Sequence, residues 1–138
     1  MLRLLKGVAL AAMLAGAVQA QDGMAPGSAI EGTIRSQVDA FLTDDFGTAF
    51  TFAGPGIQRM FGTPENFGAM VRNGYPMVYR PEDLRFGELR EIGGALWQKV
   101  FVVDAEGRTH VLDYRMGEYD GGWRIDGVQI LEAPEVSA

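Results

Sequence analysis

The sequence contains no cysteine, a single histidine and, beyond its first twenty residues, a single lysine. The absence of cysteine excludes disulfides, thiol catalysis, iron–sulfur clusters and cysteine-ligated zinc. One histidine, His110, does not supply the donor set of a transition-metal site, so we expect no metal and no other cofactor. The chain must therefore fold by side-chain packing alone.

Long apolar runs are also scarce. The run from Gly7 to Val18 is shorter than the roughly 20 residues that span a bilayer. It follows Arg3 and Lys6 and ends at Val18-Gln19-Ala20, where small side chains suit signal peptidase. This pattern predicts a signal peptide over residues 1–20, cleaved after Ala20. We therefore expect a periplasmic or secreted protein with no membrane span after cleavage.

The chain has fewer basic than acidic side chains. Twelve Lys and Arg residues face 18 Asp and Glu residues, and loss of Arg3 and Lys6 with the signal peptide takes the formal net charge from −6 to −8. Such a charge repels the phosphates of nucleic acids and anionic membrane surfaces, so we expect neither as a partner. The remaining 118 residues are enough for one domain with a hydrophobic core.

The N-terminal half of this domain has a helical pattern. Ser28 followed by Glu31 resembles a capping box, which predicts that a long helix begins there. Gly47 predicts a bend that divides the segment into one long and one short helix. Apolar residues recur at spacings of three and four, as an amphipathic helix requires: Ile30, Ile34, Val38, Phe41, Leu42, Phe46, Ala49 and Phe50.

Two further helical segments follow Gly54-Pro55-Gly56, which ends the first pattern. Residues 57–61 are predicted to form a short helical turn. Thr63-Pro64 predicts the start of another helix, because proline is favoured at the first helical position, and Gly74 ends it. Residues 75–81, with Pro76 and Pro81, are predicted to be extended or irregular.

After Pro81 the hydrophobic period changes from 3.6 to 2, which predicts four strands over residues 84–91, 95–104, 108–119 and 123–131. Gly93-Gly94, Glu106-Gly107 and Asp120-Gly121 are turn signals between them. Helices followed by an antiparallel meander indicate an α+β domain over residues 28–134, between a leader at 21–27 and a tail at 135–138. We expect the N-terminal helices to pack on a curled four-stranded sheet.

Turn length decides which strand residues share a face. A two-residue turn at Glu106-Gly107 would place Lys99 opposite Tyr114, on a mostly aromatic face that we expect to lie against the helices. There Lys99 and Tyr114 would hold an anionic or carbonyl-bearing ligand; alternatively, Lys99 reaches solvent at the rim. The other face is predicted to carry Asp113, Arg115 and Asp126, as an ion-pair ladder or as an acid/base site. A two-residue turn at Asp120-Gly121 would place Arg115 opposite Asp126.

Three more side chains are candidates for a ligand site. Tyr79 and Arg80 lie in the segment that links helix to sheet, which would border the mouth of a cavity or form a packed crossover. His110 lies beside a hairpin turn, where it would be a general base or a half-packed strand residue. The predicted ligand-binding residues are therefore Tyr79, Arg80, Lys99, His110 and Tyr114.

Three segments resemble the bacterial family called domain of unknown function 4864: "DDFGTAFTFAGPGIQRMFGTPENFGAMVRNGYPMVYRP", "HVLDYRM" and "GWRIDGVQIL". The resemblance runs from about Val38 to Pro134 and implies a small exported bacterial protein, without implying catalytic residues. The order of helices and strands also looks like the cystatin-like cone of the nuclear-transport-factor type. Such a likeness of architecture implies no particular function.

These features favour a binding or interaction module that holds a small apolar or anionic ligand in the cone, or that forms a homodimer through the outer face of the sheet. The alternative is a small cavity enzyme that performs acid/base chemistry, such as an isomerase or hydrolase. An enzyme would need a titratable group and a second polar group aimed at one atom of a substrate.

The signal-peptide prediction can be tested on exported protein. Because Val18 and Ala20 carry the small side chains that the peptidase requires, we expect a mature chain that begins at Gln21. Intact-mass measurement of protein from the periplasm or medium reports this directly. Exported material that retains residues 1–20 would contradict the prediction.

Overall fold

The computed structural model describes residues 26–131 and has helices followed by an antiparallel sheet, as predicted for an α+β domain. The signal peptide, nearly all of the leader and the tail lie outside the described residues. Every residue from 26 to 42 is helical, and we call this helix α1. Ser28 and Glu31 lie inside it, so the predicted helix start at a capping box is wrong.

Four shorter helices follow α1: α2 (Phe46–Thr51), α3 (Pro55–Phe61), α4 (Pro64–Gly74) and α5 (Pro76–Tyr79). The division into one long and one short helix is confirmed, but the break lies before Gly47. Asp44 adopts a left-handed backbone conformation with φ of 56°, which aspartate tolerates better than most residues. Asp45 then caps α2 by accepting a 3.1 Å hydrogen bond from the Thr48 amide.

The start of α4 is confirmed, whereas the linking segment differs from the prediction. Thr63 caps α4 by accepting a hydrogen bond from the Asn66 amide at 3.1 Å. Residues 75–81 were expected to be extended or irregular, but they contain α5. Pro76 takes the first position of this helix, where its missing N–H costs nothing, and the helix ends before Arg80 because Pro81 disfavours a helical residue in front of it.

The four predicted strands are confirmed as β1 (Asp83–Ile92), β2 (Ala95–Val103), β3 (Thr109–Tyr119) and β4 (Gly122–Leu131). They pair in chain order, and the sheet is not closed. β1 and β4 are therefore its edges, and the charged residues of β1 suit an edge strand. The turn at Asp120-Gly121 has two residues as predicted, since Tyr119 pairs with Gly122.

The predicted register between β2 and β3 is wrong by one residue. Asp104 pairs with Arg108, so the loop has three residues and includes Gly107 at φ of 84°. The Asp104 carboxylate fixes this loop, because its Oδ1 accepts hydrogen bonds from the amides of Glu106 and Arg108, each at 2.9 Å. This shift of one residue exchanges the two faces of β2 relative to those of β3. Gln98 therefore pairs with Tyr114, and Lys99 pairs with Asp113.

The core lies between α1, the shorter helices and one face of the sheet. Phe41 of α1 is fully buried and lies 5.9 Å, ring to ring, from Phe67 of α4. On the sheet, this face consists of alternate residues of the central strands, which include Val100, Leu112 and Tyr114. Leu42, which was predicted to belong to the apolar stripe, is instead 43% exposed.

The edge strand β4 is also tied to the helices through the backbone. Ile125 donates a 2.8 Å hydrogen bond to the carbonyl of Phe52 and accepts another of 2.8 Å from the amide of Gly54. A parallel bridge between Ala53 and Ile125 results. It fixes the start of α3 beside β4, and both bridge residues line the pocket described below.

Substitution of Phe41 should be among the most damaging in the helices. Phe41→Ala removes a fully buried ring from the centre of the core, so we expect the free energy of unfolding to fall by about 3–5 kcal/mol. The matched control is Leu42→Ala on the same helix, which should cost much less because Leu42 is half-exposed. Chemical denaturation of both variants measures the difference, and similar losses would contradict it.

The carboxylate of Asp104 should make the stability of the fold depend on pH in the acidic range. The hydrogen bond from His110 and those from the loop amides lower the pKa of Asp104 from 3.8 to about 2. A lowered pKa stabilises the fold at pH values above about 4, and this stabilisation is lost as the pH falls toward 2. We therefore expect denaturation midpoints of wild type and Asp104→Asn to converge over this range. A stability difference that stays constant from pH 6 to pH 2 would show that Asp104 does not titrate in this way.

Candidate functional site

A half-open pocket of about 280 Å³ lies between the helices and the sheet. Its wall is mostly apolar and aromatic, as is usual for sites that bind small molecules. The helices and the residues that connect them contribute Gln37, Phe41, Ala53, Ile57, Met60, Phe61, Phe67, Met70, Val71, Tyr75 and Val78, and the sheet contributes Tyr114, Ile125, Asp126, Gly127 and Val128.

Tyr114 is one of the residues that line this pocket, and it carries a buried polar atom. The side chain is fully buried, and no described residue forms a hydrogen bond with its hydroxyl. Burial raises the pKa of this hydroxyl far above its usual value of 10.0, and the nearby Tyr75 raises it further. The hydroxyl is therefore neutral at physiological pH and keeps its proton to donate.

Two other polar side chains of the pocket wall already form hydrogen bonds to backbone carbonyls. Gln37 is buried, and its amide nitrogen donates to the carbonyl of Ala49 at 3.1 Å. The Tyr75 hydroxyl donates to the carbonyl of Val128 at 3.3 Å. Tyr114 therefore differs from both, because its hydrogen-bonding capacity is buried and unused.

Among the described residues that line the pocket, Asp126 is the only charged one, and it also lines a second depression together with Arg115, Gly117 and Glu118. A bulge in β4 positions it: Arg115 pairs with Gly127 and Met116 with Ile125, so Asp126 has no partner of its own on β3. Bulges of this kind redirect a side chain and often occur next to functional sites. Residue 126 was predicted to lie opposite Arg115, and the bulge shows that pairing to be wrong.

The carboxylate of Asp126 is held by its neighbours. The Tyr119 hydroxyl lies 2.9 Å from each carboxylate oxygen and donates to them, which raises the pKa of Tyr119. A Cβ atom at position 54 or 117 would overlap these oxygens, so Gly54 and Gly117 make the space that the carboxylate fills. Among the described residues, no Lys, Arg or His lies within ion-pair distance of Asp126.

Lys99 lies on the opposite side of the sheet from Tyr114. The prediction that they pair on the inner face is wrong, because the three-residue loop places Lys99 on the outer face beside Asp113. Asp113 does not pair with Arg115 as the predicted ladder required. It accepts two 2.8 Å hydrogen bonds from Arg90 of β1, and this buried pair ties the edge strand to the centre of the sheet.

Tyr79 and Arg80 lie at the end of α5, where they join this helix to the break after α1. The Tyr79 hydroxyl donates to Asp44, and Arg80 contacts both Asp44 oxygens at 3.0 and 3.2 Å. These two bonds lower the pKa of Asp44, with Tyr79 as the larger cause. Arg80 also donates to the carbonyl of Phe41 at 2.6 Å. The donors of both residues are therefore engaged in holding the helices together.

His110 lies with Tyr79 and Arg80 around a separate surface depression formed by α5 and the β2–β3 loop. Its Nε2 atom is 2.8 Å from Oδ2 of Asp104. The five predicted site residues are thus divided among three places: Tyr114 in the apolar pocket, Lys99 on the outer face, and Tyr79, Arg80 and His110 around the depression.

Sequence reasoning missed most of the pocket, although two signals for it were present. Gln37 interrupts the apolar stripe of α1 between Ile34 and Phe41, and a polar residue at a core position often faces a cavity or partner. Gly117 and Gly127 lie inside predicted strands, where glycine often indicates a bulge or close approach. Together these would have directed attention to Asp126.

Of the comparisons with known proteins, the one with protein families gives a match. Within the described residues, no helix is long and apolar enough to cross a membrane. No curated protein and no solved structure matches the chain. A family model, the domain of unknown function DUF4864, matches residues 24–138. The chain therefore belongs to the DUF4864 family.

Proposed function

We propose that this protein is a binding module that holds a small, mostly apolar molecule in the pocket, with a polar group of that molecule hydrogen-bonded to Tyr114. The observation that carries the proposal is the buried, unpartnered hydroxyl of Tyr114, a residue that lines a mostly apolar wall. Leaving such a group without a partner costs about 1–3 kcal/mol. A ligand that supplies the missing hydrogen bond would recover this free energy.

The dimensions of the pocket indicate the size of the ligand. A cavity of about 150 Å³ lined by aliphatic and aromatic side chains accommodates benzene. The pocket of about 280 Å³ therefore has room for a molecule with one or two rings. Aromatic walls from Phe41, Phe61 and Phe67 favour a flat apolar body over a highly polar one.

The proposal changes the ligand that the sequence suggested. An anionic ligand was expected because Lys99 was predicted to face the cavity, whereas Lys99 lies on the outer face. No Lys, Arg or His is found among the residues of 26–131 that line the pocket. The geometry therefore supports the apolar part of that hypothesis. Export to the periplasm remains part of the proposal, supported by the pattern of residues 1–20.

A second candidate function is a small cavity enzyme. It is favoured by one observation: Asp126 and Tyr114 are both among the residues that line the pocket. A carboxylate base and a hydroxyl donor are the two groups that proton transfer next to a carbonyl requires. Turnover that Asp126→Asn abolishes would favour this function over simple binding.

Tyr114→Phe tests the binding proposal. Because the change removes an unpartnered hydroxyl and keeps the ring, we expect the free energy of unfolding to rise by about 1 kcal/mol. Calorimetric titration with 2-phenylethanol should show affinity reduced roughly fivefold. Ethylbenzene, which has the same ring and no hydroxyl, is the control and should bind wild type and variant equally.

Two results would contradict the proposal. If neither 2-phenylethanol nor ethylbenzene binds the wild-type protein, the pocket is not a site for small ring compounds. If Tyr114→Phe weakens the binding of both compounds by the same factor, the hydroxyl does not contact the polar group of the ligand.

A further inference from the structure

We propose that the outer face of the sheet, which carries Lys99 and Asp113, binds a second copy of this chain about a two-fold axis parallel to β2 and β3. The homodimer expected from the sequence thereby receives a specific geometry. The inference is independent of the proposed binding function, because the pocket lies on the opposite, inner face of the sheet. A dimer of this kind leaves both pockets open.

The outer face is apolar along its centre. Within residues 26–131, the helices pack on the inner face, and no helix covers the outer one. Along β2, the inner residues from Gln98 to Val102 are fully buried, whereas the outer residues between them keep part of their surface exposed. A continuous apolar surface of this kind is typical of an interaction site. Its apolar members are Trp97, Phe101 and Val103 of β2, Val111 of β3 and Leu131 of β4.

Neighbouring side chains on the two central strands are complementary to each other. An aromatic ring attracts a cation, opposite charges attract, and apolar side chains associate in water. Each of these combinations occurs once as a cross-strand pair on the outer face. The pairs are Trp97 with Arg115, Lys99 with Asp113, and Phe101 with Val111.

These pairs give the face a self-complementary pattern, which a two-fold dimer requires. An axis between β2 and β3 and parallel to them places β2 of each copy over β3 of the other. Each side chain then faces the copy of its own complementary neighbour. Sheets that pack in this way are about 10 Å apart and rotated by about 30°, and the rows nearest the axis keep their match.

Other arrangements of two copies fit this pattern less well. A two-fold axis that runs across the strands at Lys99 would set Lys99 against its own copy, where like charges repel. Pairing of β1 edges is disfavoured by the charged residues of that strand, which include Arg85 and Glu88.

Lys99 provides the argument for a second copy as the occupant of this face. It is partly buried and lies between Trp97 and Phe101 on its strand, where an ammonium group without a partner is unfavourable. Among the described residues, no carboxylate lies within ion-pair distance of it. Asp113 accepts two hydrogen bonds from Arg90 and has capacity for more. Asp113 of the second copy therefore supplies the partner that Lys99 lacks.

Sedimentation equilibrium of the purified protein tests the interface, and we expect a dimer that dissociates on dilution. Lys99→Glu brings a glutamate against Asp113 at two symmetric places, so the dissociation constant should rise at least tenfold. Lys99→Arg keeps the cation and should preserve the dimer. Arg59→Glu is the matched control, because it makes the same change of net charge at an exposed position of α3 and should leave the dissociation constant unchanged.

A fourth variant, which ends at Leu131, tests whether residues 132–138 occupy the face instead. It should still dimerise. Circular dichroism and a cooperative thermal transition show that each variant is folded.

Three results would overturn the inference. The first is a wild-type protein that stays monomeric at its highest soluble concentration. The second is a Lys99→Glu variant that dimerises as tightly as Arg59→Glu, which would place the interface elsewhere. The third is loss of the dimer on removal of residues 132–138, which would assign the contact to that segment. None of these results affects the proposed binding function, which depends on the pocket alone.

Discussion

The three-residue loop between β2 and β3 is the constraint on which the rest of the structure depends. Its Asp104 carboxylate binds two loop amides and His110, which fixes the strand pairing that follows. That register turns Tyr114 toward the helices and Lys99 away from them. Because side chains alternate along a strand, one residue more or less in this loop would reverse both faces of β3 relative to β2.

The pocket combines features that a purely structural core avoids. Tyr114, whose hydroxyl is buried and unpartnered, and Gln37, whose amide is buried, both line a mostly apolar space. Buried polar groups lower stability unless they are paired. Gln37 is paired with the carbonyl of Ala49, so the unpartnered hydroxyl of Tyr114 is the observation on which the proposed binding function rests.

Elsewhere, the polar side chains that the sequence suggested as ligand groups stabilise the fold. Arg80 and Tyr79 join α5 to the break after α1 through Asp44. Arg90 joins β1 to β3 through Asp113. Each pair connects segments that are far apart in sequence, so neither partner could be assigned from sequence spacing. A homodimer through the outer face of the sheet stays a prediction.

The sequence by itself determined the order and nature of the elements, since the hydrophobic period, the proline at the start of α4 and the glycine turns act over a few neighbouring residues. It did not determine the register across the Asp104 loop, the bulge at Asp126 or the helix α5. These depend on turn conformation and on contacts between distant residues, which a local pattern does not contain. Because the pocket is built from side chains of four helices and two strands, only the tertiary structure decided that Tyr114 and Asp126 share it and that Lys99 does not.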